Sequence, residues 1–454
     1  MSEQTVKDQN STDVDESHQN DGTDTKATDT PDQITVAFDA VSLGSDIPPP
    51  IFKLINDCWE EIFDWLSLEE LHSFGRTCKH FQRLTGEYFK WKYQNVICHV
   101  NDNEKIIQCK KLDGFIPFTQ KLAFFRLNPD ASFRYVLKNI KSPKSMEIVN
   151  ARSTNLDLKL MKNNLSNVEV LKFRNSYLDG SFIETFLKLC VRLKRLTIGP
   201  NAGNTWLLHK YPTLQYFKLT DYECDSLVND ELMTFFQQNP NVRSFATTEK
   251  ILFQNRDSFI ANNIELDELT ILRVDDIDEL CVVVNDLYRR GFYKRLHLKT
   301  VSTKCLKNMP GLVTLYINTY YNYVEMPQLD GVMELFLNAL SDGLHFVVNM
   351  EEVSMNLKNL ERIFTPATSE EYLRVFFRNS AKLKEIKIEY LCDGIDVVAM
   401  NIERKKLKGA KQVTIFLDEE DYLAIKSKHN KTDFGLIEVK RKESYEGVWD
   451  HAFG

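Results

Sequence analysis

The sequence predicts an α/β protein: a small helical block followed by a long, curved solenoid of parallel strands backed by helices. Three observations carry this reading. Residues 51–93 show a dense helical pattern with repeated capping signals. From residue 146 onward an apolar-x-x-apolar-x-apolar motif recurs about every 20–30 residues, with amphipathic stretches between the copies. And 43% of the 454 residues are hydrophobic, ample material for a core of that length.

In chain order, residues 1–47 come first. They hold eleven acids (Glu3 through Asp46) against two bases, Lys7 and Lys26, and few large apolar residues. Such a segment cannot bury enough surface to offset its conformational entropy, so it reads as a disordered acidic tail. The formal charge of −8 for the whole chain therefore belongs to the tail. The near-neutral remainder argues against a dedicated nucleic-acid binder, which carries a basic excess. Pro48-Pro49-Pro50 punctuates the boundary, and apolar patterning begins at Ile51.

Asp57 with Glu60 predicts a capping box opening a first helix, with Trp59, Ile62, Phe63 and Leu66 on one stripe. Ser67 with Glu70 repeats the signal for a second helix bearing Leu68, Leu71 and Phe74. Gly75 offers a stop, and Thr77 a cap for a third helix carrying Cys78, Phe81 and Leu84. Three helices in so short a span make a meagre core. They need a partner or a neighbouring domain.

Residues 94–145 read as a helical linker or N-terminal cap, 146–417 as the repeats, and 418–454 as a C-terminal cap and tail. Clear motif copies are Val168/Leu171/Phe173, Leu193/Leu196/Ile198, Leu214/Phe217/Leu219 and Leu266/Leu269/Ile271. Weaker ones include Met350/Val353/Met355 and Ala410/Val413/Ile415. Between them, Phe182–Leu189, Glu231–Gln238, Ile277–Arg289 and Tyr372–Arg378 are patterned as helices. One such unit cannot bury its own apolar face, whereas stacked units share a continuous core.

No phosphate loop, dinucleotide fingerprint, His-Glu-x-x-His or Gly-x-Ser-x-Gly occurs, so the chain is expected not to be an enzyme and to need no cofactor. Nine cysteines without a Cys-x-x-Cys pair argue against a zinc module and for a reducing compartment, cytoplasmic or nuclear. No apolar run is long enough for a membrane span. The basic runs Arg404–Lys408 and Lys440–Lys442 are flanked by acids and read as mixed solvated faces.

The helical block resembles an F-box. The residues that carry this are Leu54, Ile55 and Asp57, then Ile62-Phe63, Trp65-Leu66, Ser67-Leu68, Glu70-Leu71 and Thr77-Cys78-Lys79-His80-Phe81. Ile55 stands where the family has Pro, and Phe81 where it has Trp. The repeats resemble leucine-rich repeats, whose period is roughly 20–29 residues. The combined resemblance implies the substrate-recognition subunit of a Skp–cullin–F-box ubiquitin ligase, non-catalytic itself. In such a protein the F-box docks on a Skp-type adaptor, and through it a cullin-RING ligase, while the repeats hold the substrate protein. The residues expected at the adaptor are Leu54, Ile55, Trp59, Ile62, Phe63, Trp65, Leu66 and Leu68. Two other readings stay open: a leucine-rich-repeat scaffold without a ligase role, and a repeat protein that binds nucleic acid.

Within each strand the second and third motif positions point into the core, so alternate residues face the concave side. Those are Lys172, Arg174, Arg195, Tyr216, Lys218, Arg295, His297 and Lys299 in the earlier repeats, against Glu268. Later repeats contribute Tyr316 and Phe336 with Glu334, Glu352, Glu385 and Glu389, against Lys387. That polarity predicts an acidic or phosphorylated substrate segment across the early repeats, anchored by Tyr316 and Phe336.

Overall fold

A computed structural model describes residues 51, 54–101, 113–125, 131–151, 158–199, 204–220, 229–318, 325–338, 349–391, 394–428 and 435–442. The acidic tail 1–47 lies outside the described residues. The chain divides into Met1–Asn56 and Asp57–Gly454, and the whole sheet lies in the second.

Three helices precede the sheet: α1 (Asn56–Phe63), α2 (Leu68–Gly75) and α3 (Lys79–Lys92). The Ser67/Glu70 capping box is present in full: Ser67 Oγ accepts from the Glu70 amide at 3.3 Å, and Glu70 Oε2 accepts from the Ser67 amide at 2.8 Å. Two other expected caps are corrected. Asp57 falls inside the first turn of α1, where its carboxylate favours the positive helix end without capping it. Thr77 does not cap α3; its hydroxyl donates back to the Phe74 carbonyl at 2.7 Å, and Cys78 takes the cap position without a side-chain bond. Gly75 is not a left-handed stop either. It sits where α2 touches α3, and a Cβ there would meet Thr85 Oγ1 at 2.5 Å.

Among the described residues, one parallel sheet of fifteen strands follows, each strand paired with its sequence neighbours in unbroken order. The strands are β1 (Ile97–Asn101), β2 (Lys121–Phe125), β3 (Ser145–Val149), β4 (Val170–Arg174), β5 (Arg195–Ile198), β6 (Tyr216–Leu219), β7 (Ser244–Thr247) and β8 (Leu266–Ile271). Then come β9 (Tyr293–Thr300), β10 (Leu312–Asn318), β11 (Glu334–Asn338), β12 (Arg362–Thr368), β13 (Glu385–Leu391), β14 (Val413–Leu417) and β15 (Ile437–Arg441). Parallel neighbours need crossovers, and the amphipathic stretches supply them. The expected helix 277–289 is found as Ile277–Arg289, capped by Asp276, whose Oδ1 accepts from the amides of Asp278 and Glu279 at 3.0 Å.

The core lies between sheet and helices. Phe173 packs on Phe186 at 5.6 Å, Phe217 on Phe235 at 4.4 Å and Phe245 on Phe259 at 6.1 Å between ring centroids. Each pair joins a strand position of the motif to the buried stripe of a crossover helix, so the units share one core and none stands alone.

The sheet is longer than the expected 146–417. β1, β2 and β3 precede or open that span and β15 follows it, so 94–145 is not simply a helical cap. Their motif copies open on Asn95, Thr119 and Pro143 instead of an apolar residue, while Cys98, Leu122 and Met146 keep the buried second position. One expected copy is not a strand at all. Met350/Val353/Met355 lie on a helix, Met350–Asn356, and the strand of that unit is β12, built on Leu360/Ile363/Thr365.

Candidate functional site

The helical block holds a ring-packed core. Trp59 stands edge-on to Phe81 with centroids 5.2 Å apart, Phe63 stands edge-on to Tyr88 at 5.2 Å, and Phe74 lies 4.4 Å from Phe81. Trp59 and Phe63 are buried. This corrects their expected place on the adaptor surface: one helical turn apart, they share the stripe that faces α2 and α3. Phe81 fills the aromatic position as expected. The side chains left outward are Ile62, 40% exposed, and Trp65, 49% exposed, with Leu66 and Leu68 half-buried. Leu54 and Ile55, in the first unit, are also exposed.

The block packs on both ends of the sheet. On the β1 side, Phe89 stacks on Phe115 at 4.5 Å, and the Gly114 amide donates to His72 Nε2 at 3.2 Å. On the β15 side, Arg441 donates to the carbonyls of Asp64 and Leu66 at 3.2 and 2.8 Å. The Leu68 amide donates to Glu419 Oε1 at 3.1 Å. Asp64 is the charged centre of this seam. Burial alone would raise its carboxyl, but the Tyr88 hydroxyl, donating at 2.5 Å, and the Lys92 ammonium at 3.0 Å hold it below the usual carboxylate range. Lys426 sits over the Trp65 ring at 4.7 Å and Lys92 over Trp91 at 4.9 Å. A groove of about 970 Å³ opens along this seam between Trp65, Trp91, Tyr422 and Lys440.

The basic runs keep Lys405, Lys406, Lys408 and Lys440 exposed, as a solvated face would. One residue of each departs from that reading, a buried arginine with a structural task. Arg441 joins the last strand to the helical block. Arg404, fully buried, donates to the carbonyls of Ser380 at 2.7 Å, Leu383 at 3.0 Å and Lys411 at 3.1 Å, gathering backbone acceptors of the turn before β13 and of the turn before β14.

On the sheet face away from the helices, the register aligns alternate residues into rows. One row runs Glu147, Lys172, Thr197, Lys218, Ala246, Thr270 and His297. Its preceding row holds Arg195, Tyr216, Ser244, Glu268 and Arg295. Another runs Lys299, Tyr316, Phe336, Phe364, Lys387, Phe416 and Lys440. The expected aromatic pair is stacked, Tyr316 on Phe336 with centroids 3.9 Å apart and planes 8° apart, and Phe364 extends the stack at 4.1 Å. Lys299 caps it over Tyr316 at 4.5 Å.

The expected charge polarity is weaker than the sequence suggested. Arg174 pairs with Glu147 of β3 at 2.8 Å, and Arg295 with Glu268 at 2.7 Å. Among the later strands, Arg362 lies between Glu334 and Glu385 and pairs with both at 2.7 Å. Glu352 is on the helix Met350–Asn356 and not on this face. Glu147 and Arg362 escaped notice because their motif copies are degenerate, β3 opening on Pro143 and β12 carrying Thr365 at its third position. Lys218 is buried, and desolvation, aided by the neighbouring charges of Lys172, Arg174 and Lys299, brings its ammonium down to about 7. Among the described residues no group of three or more His, Cys, Asp and Glu is arranged to hold a metal ion. No helix among them is long and apolar enough to cross a membrane.

Comparison with known proteins adds the family of the helical block. The F-box domain model matches residues 51–93, so the chain carries an F-box domain there. No curated protein matches the chain. Among solved structures, the leucine-rich repeat-containing protein LegL7 from Legionella pneumophila is similar at 14% identity and a TM-score of 0.35, covering 59% of this chain and 90% of that one. The Toll–Spatzle complex of Drosophila is similar at 11% and 0.25, covering 75% of this chain and 49% of that one. The leucine-rich-repeat architecture rests on the fifteen-stranded parallel sheet itself.

Proposed function

We propose that the chain is the substrate-recognition subunit of a Skp–cullin–F-box ubiquitin ligase, working in the cytosol or nucleus. The observation that carries this reading is the F-box match at residues 51–93 on a helical block that leaves Ile62 and Trp65 outside its own core. Large apolar side chains kept in water are the usual anchors of a protein interface, and a Skp-type adaptor is the partner F-box domains take. The repeats then present the substrate protein on the open sheet face. Nothing covalent is asked of this chain. It raises the effective concentration of substrate near a charged ubiquitin carrier, and a rigid joint between the two modules keeps that distance short of wandering. The Arg441 contacts supply such a joint.

One observation favours a second reading. The helical block packs on both the β1 and β15 sides, as a purely structural cap would. Affinity purification with the proteasome blocked separates the two, comparing the intact chain with Ile62→Asp/Trp65→Asp. Loss of adaptor and cullin with retention of other bound proteins supports the ligase role. Equal recovery of everything supports the scaffold.

A further inference from the structure

A cavity of about 660 Å³ opens on the sheet face at strands β5 to β9. Two arginines line it, Arg195 and Arg243, and neither makes an ion pair among the described residues. Arg195 lies over the Tyr216 ring at 5.5 Å, which orients the guanidinium without neutralising it. The acid in the wall, Glu268, is already engaged by Arg295 at 2.7 Å and by the Ser244 hydroxyl at 2.8 Å. The cavity thus keeps a net positive wall although a carboxylate stands in it.

His297 also lines this cavity, 5% exposed, and neither ring nitrogen has a hydrogen-bond partner. Buried polar groups are nearly always bonded, and an exception of this kind marks a place where a group from outside completes the set. Burial holds the ring below the usual histidine range, although Glu268 and Glu334 pull it upward. The imidazole is therefore neutral and offers one N–H donor and one acceptor.

We propose that this cavity binds an oxyanion carried on a side chain of a partner protein, held by Arg195 and Arg243 and donated to by His297. This deepens the substrate-receptor reading and rests on it only for the partner's fate. Guanidinium groups present forked donors that match carboxylate and phosphate alike, so the ligand is an acidic segment or a phosphorylated one. The wall carries no spare acid to receive a lysine.

The test uses the full-length chain and three fluorescein-labelled peptides of equal length, rich in glutamate, phosphoserine or lysine. Anisotropy should show binding of at least one anionic peptide and none of the lysine peptide; which anionic peptide binds tighter identifies the source. Arg195→Ala/Arg243→Ala should weaken that binding at least tenfold. His297→Phe should weaken it severalfold while leaving the melting temperature unchanged or higher, an outcome that a merely structural histidine would not give. Arg378→Ala, on a crossover helix, serves as control and should bind as the wild type. Adaptor co-purification is measured on the same variants and should be unchanged, which separates this site from the ligase assignment. Equal binding of all three peptides, no binding of either anionic peptide, or undiminished binding by the double variant overturns the proposal.

Discussion

Arg441, on the last strand, donates to the carbonyl of Leu66 at 2.8 Å, across 375 positions of sequence. The same side chain reaches the Asp64 carbonyl and lies over the Tyr422 ring at 4.8 Å. One guanidinium therefore fastens the turn between the first two F-box helices to the end of the sheet. Arg441→Ala should cost about 2–4 kcal/mol, because it leaves those carbonyls without a donor in a buried seam and takes one of the cations away from Asp64. Arg441→Lys should recover little, since an ammonium cannot span both carbonyls. Thermal unfolding with limited proteolysis around residues 63–68 checks this; an unchanged melting temperature for the alanine variant would show the seam to be incidental.

The block's inner and outer faces should respond differently. Phe63→Ala empties a buried ring site against Tyr88 and should cost about 3–5 kcal/mol. Trp65→Ala, on the outside, should change stability by under about 1 kcal/mol, leaving Lys426 with the Tyr422 ring. Similar losses for both would mean that Trp65 belongs to the core.

Gly75→Ala normally favours a helix, yet here the new methyl would sit 2.5 Å from Thr85 Oγ1. Overpacking should win by about 1–2 kcal/mol. Adding Thr85→Ala should return most of it, because the contact is between these two side chains. Additive losses in the double-mutant cycle would place the strain elsewhere.

The buried Lys218 gives a pH dependence of definite sign. Its folded value near 7 lies below its ordinary 10.5, so between those limits the unfolded chain binds the extra proton. Stability from this group is therefore fully present above the higher value and lost as pH falls toward the lower one. Lys218→Met should be more stable than the wild type at pH 6, on the order of 1–2 kcal/mol, with the gap shrinking by pH 9. A gap that is constant with pH would show that the ammonium remains charged in the fold.

The boundary between what was legible and what was not follows interaction range. The Ser67/Glu70 box was readable because both partners lie within one turn. The helix Ile277–Arg289 was readable because its apolar stripe repeats with the helical period. Arg441 was not, since its partners are backbone carbonyls that any sequence would offer, hundreds of residues away. β1, β2 and β3 were hidden where Asn95, Thr119 and Pro143 replace the first apolar residue, and only stacking on neighbours compensates. Met350/Val353/Met355 misled because the i,i+3 spacing that opens the strand motif is also a helical spacing. At the candidate site, the strand alternation placed Arg195, Tyr216 and His297 on one face, but the unsatisfied state of His297 is a property of three dimensions.

Direct titration of the purified full-length chain with a purified Skp-type adaptor tests the central claim most closely. Calorimetry should report a one-to-one complex for the wild type. For Ile62→Asp/Trp65→Asp, whose melting temperature should stay within a few degrees of the wild type, binding should weaken at least a hundredfold. No heat with the wild-type chain, or equal affinity for the folded double variant, would contradict the account.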